Sequence, residues 1–452
     1  MLLTLARSNS FRIHDARVFI GDGKVVERAD VYLRNGVITE LVEDGQKAAL
    51  DADSFTTIEA AGKTLMPGLI DVHAHFGASG ITMSEGVDEE MRNWPEHAVR
   101  AYLYSGVTAA KSVGDATDVL QKLKQRLQSG EILGTELFMT GPLFTAPGGH
   151  GTEFFTNLPE MLRTAMESQM AAAYSSPSEA ASRVDKLAEQ GVDGIKVVLE
   201  SGAAGSLFER LDLQVFDAIT NAARSHRLPI VVHTGTPQDI QDAVSRDIEG
   251  VEHGSMRDAV PDAVLNEMAA KAIYYDPTLA VLDSIFRIAK RDATVMEDPL
   301  VRQTIPSRLV VKMRSWIQKH EVDPSLSQLP DLKNTAAVKN LLRAYRAGVP
   351  IVVGTDSGNY GTFHGPAIHR EMELWQEAGI PPADILKAAT GNAAQLLAAG
   401  SRIGKVAKGY EASLLLVDGN PLDDIRGTRR ISDVFFKGER IKRSTLFQPN
   451  KE

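Results

Sequence analysis

The sequence predicts an α/β protein, a (β/α)₈ TIM barrel with a small β-sandwich domain built from both chain ends. The middle of the chain alternates short apolar segments with longer amphipathic ones, as repeated βα units do. Both ends instead contain short alternating segments, which at the N-terminal end are broken by Asp-Gly, Asn-Gly and Ala-Gly. A chain of 452 residues accommodates one barrel and a smaller domain. We therefore expect the β domain in 1–66 and 400–452, and the barrel in 67–399.

Eight apolar segments in the middle of the chain provide the expected barrel strands. They are 68–75, 107–113, 137–144, 194–200, 229–235, 250–255, 272–278 and 349–357. Helical patterns such as 177–191 and 213–227 separate them, and about 285–340 reads as a helical insertion before the last strand. Parallel strands with crossover helices are typical of a barrel.

Composition excludes several classes of function. Lys plus Arg is 49 and Asp plus Glu is 59, so the formal charge of −10 argues against nucleic acid or an anionic membrane as partner. The absence of cysteine excludes disulfides, thiolate metal ligands and a cysteine nucleophile. The sequence shows neither a signal peptide nor a membrane-spanning apolar run, so we expect a cytoplasmic protein, with export of a longer precursor left open.

Histidine and aspartate side chains end several of the expected strands. His73 and His75 are two apart on one strand and therefore point to the same face. His233 and His253 end neighbouring strands, and Asp356 follows the last strand. The carboxyl ends of barrel strands meet at the active site, where imidazole and carboxylate groups can bind metal. Alternative interpretations are satisfied histidines at the rim and, for Asp356, a helix N-cap.

Lys196 lies within an apolar strand, where an unpaired ammonium is costly. An ion-paired or snorkelling lysine is the ordinary interpretation. The other is a lysine carboxylated by CO₂, which composition alone does not indicate.

The ordered motifs of the chain resemble those of the amidohydrolase superfamily, and in particular its imidazolonepropionase-related members, which include prolidase-like dipeptidases and ochratoxin-type amidases. The motifs that carry this resemblance are PGLIDVHAHF, GVTAAKSVGD, GVDGIKVV, VVHTGT, GVEHGS, GTDS and RIGKVAKGYEASLLLVDGNPL. Imidazolonepropionase itself is mononuclear and lacks the bridging lysine, so Lys196 argues against that activity.

The resemblance implies two divalent metal ions, zinc first, with manganese, cobalt or nickel also suited. Lys196 would bridge them as a carbamate, and Asp356 would bind the first metal and shuttle protons. The metals would lower the pKa of a bridging water and polarise the scissile carbonyl. Relatives commonly form homo-oligomers, so we expect one here. The implied metal ligands are His73, His75, Lys196, His233, His253 and Asp356.

Loop residues are the candidates for substrate binding. His150, in a glycine-rich loop after the third strand, suits oxyanion stabilisation or carboxylate binding. Tyr360 and His364 follow the last strand, and we rank His364 above His369, which could cap or pack a helix. Tyr275 could equally belong to the core.

These residues predict a binuclear hydrolase that cleaves the amide bond of a small molecule, an N-acyl amino acid or dipeptide. A lactonase or cyclic-amide hydrolase with the same site is the alternative, and a non-catalytic scaffold is a third hypothesis. Substrate profiling would separate the first two.

Overall fold

The computed structural model describes residues 10–81, 93–156, 158–202, 208–319, 321 and 331–447. Among these residues, no helix combines the length and apolar character needed to cross a membrane.

The strands fall into two groups, the parallel ones in the middle of the chain and the others at its two ends. The strands of the N-terminal end are β1 (Phe11–Phe19), β2 (Val25–Arg34), β3 (Val37–Glu43), β4 (Thr56–Glu59) and β5 (Lys63–Pro67). Those of the middle are β6 (Leu69–Ala74), β7 (Val107–Ser112), β8 (Glu136–Met139), β9 (Leu143–Thr145), β10 (Ala171–Ala173), β11 (Ile195–Val198), β12 (Ile230–His233), β13 (Gly250–Glu252) and β14 (Tyr274–Asp276). Those of the C-terminal end are β15 (Leu414–Asp418), β16 (Ile431–Phe436) and β17 (Glu439–Ile441).

Strands from both chain ends form one sheet. Its order is β17-β16-β15-β5-β1-β2-β3, and β4 pairs with β1. Asn35 and Gly36 turn β2 into β3 with φ of 54° and 82°, the left-handed values that an Asn-Gly hairpin turn requires. β5 lies between β1 and β15, so the central strand pairs with both ends of the chain.

The middle strands pair in parallel. β6, β7 and β8 form one sheet, and β10-β9-β11-β12-β13-β14 form another. The predicted third strand is divided into β8 and β9 by Thr140-Gly141-Pro142, because Gly141 has φ of 72° and proline lacks an N–H. β10 was not expected from the sequence.

The predicted eighth strand makes only isolated strand bridges. Ile351 bridges Tyr275 of β14, and Ser357 bridges Ala74 of β6. The Asp356 N–H donates to the carbonyl of His73 over 2.9 Å. Segment 349–357 therefore runs beside β14 on one side and β6 on the other.

Helices follow most of the parallel strands and bury their apolar faces. In the helix Leu213–Ser225, for example, Phe216 and Ile219 are fully buried in the main core together with Val232 of β12. A separate core, which includes Ile13, Leu65 and Phe435, fills the sheet of the chain ends. The helices are α1 (Trp94–Tyr104), α2 (Thr117–Gln128), α3 (Glu160–Met170), α4 (Pro177–Glu189), α5 (Leu213–Ser225), α6 (Pro237–Val244), α7 (Asp262–Lys271), α8 (Leu279–Ala289), α9 (Pro299–Thr304), α10 (Ser307–Lys319), α11 (Ala336–Arg346), α12 (Pro366–Glu377), α13 (Pro382–Lys387) and α14 (Ala393–Leu396).

The helical patterns predicted at 177–191 and 213–227 are α4 and α5. The predicted insertion contains the end of α8, all of α9 and α10, and the beginning of α11. Its segment 322–330 lies outside the described residues.

Candidate active site

Two histidines at the end of β6 face the aspartate that follows segment 349–355. His75 Nε2 lies 3.0 Å from Asp356 Oδ1, and His73 Nε2 lies 3.5 Å from the same oxygen. Asp356 has φ of 58°, and Asn359 Nδ2 donates to its Oδ1 over 2.8 Å. Burial alone would raise the pKa of Asp356, but its contacts with His73 and His75 outweigh this effect and lower the pKa. Asp356 is therefore a carboxylate with a fixed orientation.

Four histidine rings form a continuous row from β6 toward the loop after β9. The ring centroids of His73 and His253 are 4.8 Å apart, and those of His253 and His233 are 4.2 Å apart. His150 lies 4.7 Å beyond His233. Burial lowers the pKa of His73, His233 and His253, so these rings are neutral and have lone pairs for a metal ion.

Neighbouring polar groups orient the rings at the far end of this row. His253 Nδ1 lies 2.6 Å from Thr278 Oγ1, and His233 Nε2 lies 2.7 Å from Glu200 Oε2. His150 Nδ1 also lies 2.7 Å from Glu153 Oε1, but the geometry of this contact is not that of a hydrogen bond. Contacts of this kind fix the tautomer and direction of metal-binding histidines.

Lys196 is 2% exposed and contacts Glu252 Oε2. The ammonium of Lys111 lies 3.4 Å from the other oxygen of Glu252, and burial lowers the pKa of Lys111. Two buried lysines therefore share one glutamate beneath the histidine row.

The donor set fits a metal ion. Within the described residues, neither ring nitrogen of the fully buried His73 has a hydrogen-bond partner, although Glu252 and Asp276 oxygens approach its Nδ1 to 3.4 Å. Buried polar atoms are normally satisfied, so these nitrogens indicate a missing partner. Three sets of side chains place their ligand atoms within 4.8 Å of one another: His73, His75 and Asp356; His73, Glu252 and His253; and His150, Glu200 and His233.

The loop candidates differ in their surroundings. The ring of Tyr360 is half exposed and lies 5.2 Å from that of Trp316. His364 is buried; its Nε2 donates to the His75 carbonyl over 3.0 Å, and Trp94 Nε1 approaches its Nδ1 to 3.4 Å. Burial lowers the pKa of His364 to about 3. This placement favours a role in positioning His75 over direct contact with substrate.

His369 and Tyr275 are also buried, in keeping with the packing roles considered for them. His369 Nε2 donates to the Ser105 carbonyl over 2.9 Å, and Tyr275 Oη donates to the His253 carbonyl over 3.3 Å.

The family model described as "Amidohydrolase family" matches residues 64–441. The chain belongs to the amidohydrolase family. This amidohydrolase is 24% identical to the ochratoxinase of Aspergillus niger over 443 residues, which cover 90% of the chain and 80% of that protein.

Solved structures similar to this amidohydrolase include a Xaa-Pro dipeptidase with bound methionine in the active site. It has a TM-score of 0.74 and 22% identity, over 96% of this chain and 100% of that one. A molinate hydrolase matches with a TM-score of 0.75 and 20% identity, over 97% and 96% of the two chains. These matches confirm the resemblance and indicate a TIM-barrel-type α/β fold.

The protein is therefore a hydrolase that acts on C–N bonds, of the amide type, in small molecules. Its family is generally metal-dependent, which agrees with the groups of possible ligands described above.

Sequence reasoning missed several polar residues that this amidohydrolase buries beside the predicted ligands. Glu252 directly precedes His253, and Asp276 ends β14, so their positions at strand ends were a usable signal. Lys111 lies on β7, within the motif GVTAAKSVGD, but the sequence analysis did not predict a role for it in the site. Glu200 follows β11 by two residues.

Proposed function

We propose that this amidohydrolase is a binuclear metal-dependent enzyme that cleaves the amide bond of N-acyl amino acids or dipeptides. The observation that carries the proposal is the row of histidines ending in His73, whose buried ring nitrogens lack hydrogen-bond partners among the described residues. The names of two relatives, an ochratoxinase and a Xaa-Pro dipeptidase with bound methionine, also support an amide substrate that releases an amino acid.

We assign the metal ligands by position in the site. Two of the ligand sets described above, one around Asp356 and one around His233, lie at opposite ends of the histidine row. Zinc fits this combination of imidazole and carboxylate groups. The proposed ligands are His73, His75, Lys196, His233, His253 and Asp356.

Lys196 would join the two ends of the site as a carbamate. Its ammonium would first lose a proton, and the resulting amine would form an N–C bond with CO₂ and lose a second proton, so that a buried cation becomes an anion. The position of Lys196 supports this modification. Lys196 and Lys111 both lie at Glu252, and removing one of the two ammonium charges would relieve the repulsion between them.

Bound divalent metals would supply Lewis-acid activation of water and of the substrate carbonyl at neutral pH. Asp356, held through Oδ1 by Asn359, would accept the proton of the attacking water and pass it to the leaving amine nitrogen. His150, next to His233 in the row, would donate to the developing oxyanion. Tyr360 would contact substrate from its exposed position, and His364 would hold the backbone at His75.

We also propose that the parallel strands close into a (β/α)₈ barrel over 67–399, with a β-sandwich domain in 1–66 and 400–452. The bridges of segment 349–357 to both β14 and β6 support closure. The two separate apolar cores support the division into domains. Homo-oligomerisation stays a prediction.

Two measurements test the proposal. One is the metal content per chain of protein purified without chelator, and the other is the hydrolysis of a panel of N-acyl amino acids before and after chelation. About two metals per chain, with activity lost on chelation and restored by zinc, supports the binuclear site. One metal would favour an unmodified Lys196. Full activity without metal would overturn the proposal.

Two substitutions sharpen this experiment. Asp356→Ala should abolish turnover and leave the fold intact, whereas Asp423→Ala, an exposed position of the C-terminal part, serves as the matched control. Near-normal activity of Asp356→Ala would contradict the proton-transfer role. Comparison with lactones and cyclic amides tests the alternative function, which the same site would support.

A further inference from the structure

The peptide bond that follows His75 is held at both of its polar groups. The His75 carbonyl accepts from His364 Nε2 over 3.0 Å, and the Phe76 N–H donates to Asp115 Oδ2 over 2.7 Å. A peptide bond is planar, so these two contacts fix the direction in which the chain leaves His75. The side chain of His75 is 25% exposed, so the surrounding protein encloses its ring only in part. The orientation of this ring therefore depends on the groups that hold its backbone.

His364 is itself held by Trp94, the first residue of α1. Trp94 is 2% exposed, and its Nε1 donates to His364 Nδ1 over 3.4 Å. An indole N–H only donates and a carbonyl oxygen only accepts, so Nδ1 of His364 is the acceptor and Nε2 bears the proton. One tautomer of His364 therefore satisfies both contacts. Removal of the indole N–H would leave Nδ1 as a buried acceptor without its donor, which is costly.

The indole of Trp94 packs in turn against His97, one helical turn later on α1. The two ring centroids are 4.5 Å apart and the ring planes are inclined by 25°, a stacked arrangement. His97 Nε2 donates to the carbonyl of Thr304 over 2.6 Å. Thr304 ends α9, which belongs to the helical insertion predicted at about 285–340. Direct contacts thus run from the insertion to Trp94.

We propose that Trp94 is a positioning residue for the metal ligand His75, acting through His364, and that the helical insertion supports the site by holding Trp94 through His97. This inference rests on the proposed function, in which His75 binds metal. Outer partners of metal-binding histidines fix the direction of the ring, and their loss weakens metal binding. The contacts from Thr304 through His97, Trp94 and His364 to His75 form a relay of this kind.

Zinc titration against a competing chelator tests the relay at His364. His364→Gln should bind zinc within about threefold of the wild type, because its NH₂ group can donate to the His75 carbonyl and its oxygen can accept from Trp94. His364→Leu has no polar group and should weaken zinc binding by about 10- to 100-fold. Equal affinities of the two variants would overturn the role of His364 and with it the relay.

The same titration tests the residues behind His364. Trp94→Phe keeps a buried ring but removes the N–H, and it should weaken zinc binding by about 3- to 10-fold. If Trp94 acts through His364, Trp94→Phe should add no further loss to that of His364→Leu in the double variant. His97→Phe keeps a ring against Trp94 but loses the bond to Thr304, so it should weaken zinc binding by about 2- to 5-fold.

Trp316→Phe, in helix α10 of the insertion, is the matched control and should bind zinc as the wild type does. Additive losses in the double variant, or wild-type affinity in Trp94→Phe, would overturn the relay. Wild-type affinity in His97→Phe would overturn the part assigned to the insertion.

NMR spectra of the metal-free protein separate this inference from the proposed function. The Cε1–H signal of His75, identified by its loss in His75→Gln, reports the surroundings of the ring. This signal should move in Trp94→Phe and His364→Leu and stay in place in Trp316→Phe. Such shifts support the relay even if the wild type binds no zinc, in which case only the proposed function fails. An unmoved signal in Trp94→Phe would overturn the relay, whether or not zinc binds.

Discussion

Replacing Glu371 with glutamine tests how the interior of the protein holds one candidate metal ligand. Glu371 of α12 is fully buried, and its Oε1 accepts from the Leu279 N–H over 2.9 Å and from Trp375 Nε1 over 2.7 Å. Its Oε2 accepts from the Ala280 N–H. The carboxyl group therefore binds the free N–H groups at the beginning of α8, directly after Thr278.

Thr278 adopts φ of 45° and ψ of 50°, a left-handed conformation that is costly for a β-branched residue. Its hydroxyl orients His253. Glutamine at position 371 keeps one acceptor oxygen, so its NH₂ group would face a backbone N–H. Two buried donors without acceptors cost about 2–6 kcal/mol of unfolding free energy. Loss of orientation at His253 should weaken the nearer metal about 10- to 100-fold.

Urea unfolding of the metal-free protein and zinc titration against a competing chelator measure these two effects. Glu377→Gln is the control on the same helix, because its side chain is 61% exposed and its ion pair with Arg370 should contribute less than about 1 kcal/mol. If Glu371→Gln unfolds and binds zinc like Glu377→Gln, the proposed link from Glu371 through Thr278 to His253 is refuted.

Three further predictions concern buried residues. Burial lowers the pKa of His369 to about 3, so the neutral form contributes stability that is lost as pH falls below about 6.5. Between pH 8 and pH 5 the free energy of unfolding, measured with a chemical denaturant, should therefore fall by about 2 kcal/mol less in His369→Gln than in the wild type. An unchanged pH dependence in the variant would contradict this. Gly354→Ala would push a methyl group against Asp276 and should lower the unfolding temperature and the zinc content, both measured on one preparation. Thr278→Val should weaken zinc binding near His253, whereas Thr278→Ser should bind zinc as the wild type does; equal affinities of the two variants would argue against the hydroxyl contact.

Periodicity and strand ends were sufficient to predict most of the parallel strands and the meeting of His73, His75 and Asp356. Each of these residues ends an apolar segment, and the carboxyl ends of parallel strands share one edge. The division of the third strand was missed, because the left-handed conformation at Gly141 depends on local geometry and not on apolar periodicity.

The residues that surround the histidine row could not be found in the same way. Glu252 pairs with lysines that are 56 and 141 residues away, and such contacts leave no periodic pattern in the sequence. Glu371 lies 91 residues after Ala280, whose N–H donates to its carboxyl group.

The position of β5 in the sheet of the chain ends has a consequence for the order of folding. β5 leads through Gly68 directly into β6, which bears His73, yet one of its edges is covered only by β15, about 350 residues later in the chain. During synthesis this edge stays unpaired until the last segment is made, and contacts so distant in sequence form slowly. We therefore expect a chain that ends before Leu414 to expose an edge of β5 that is prone to aggregation. Such a chain contains the histidines of the site, but β5, which leads into the strand of His73, lacks its partner β15.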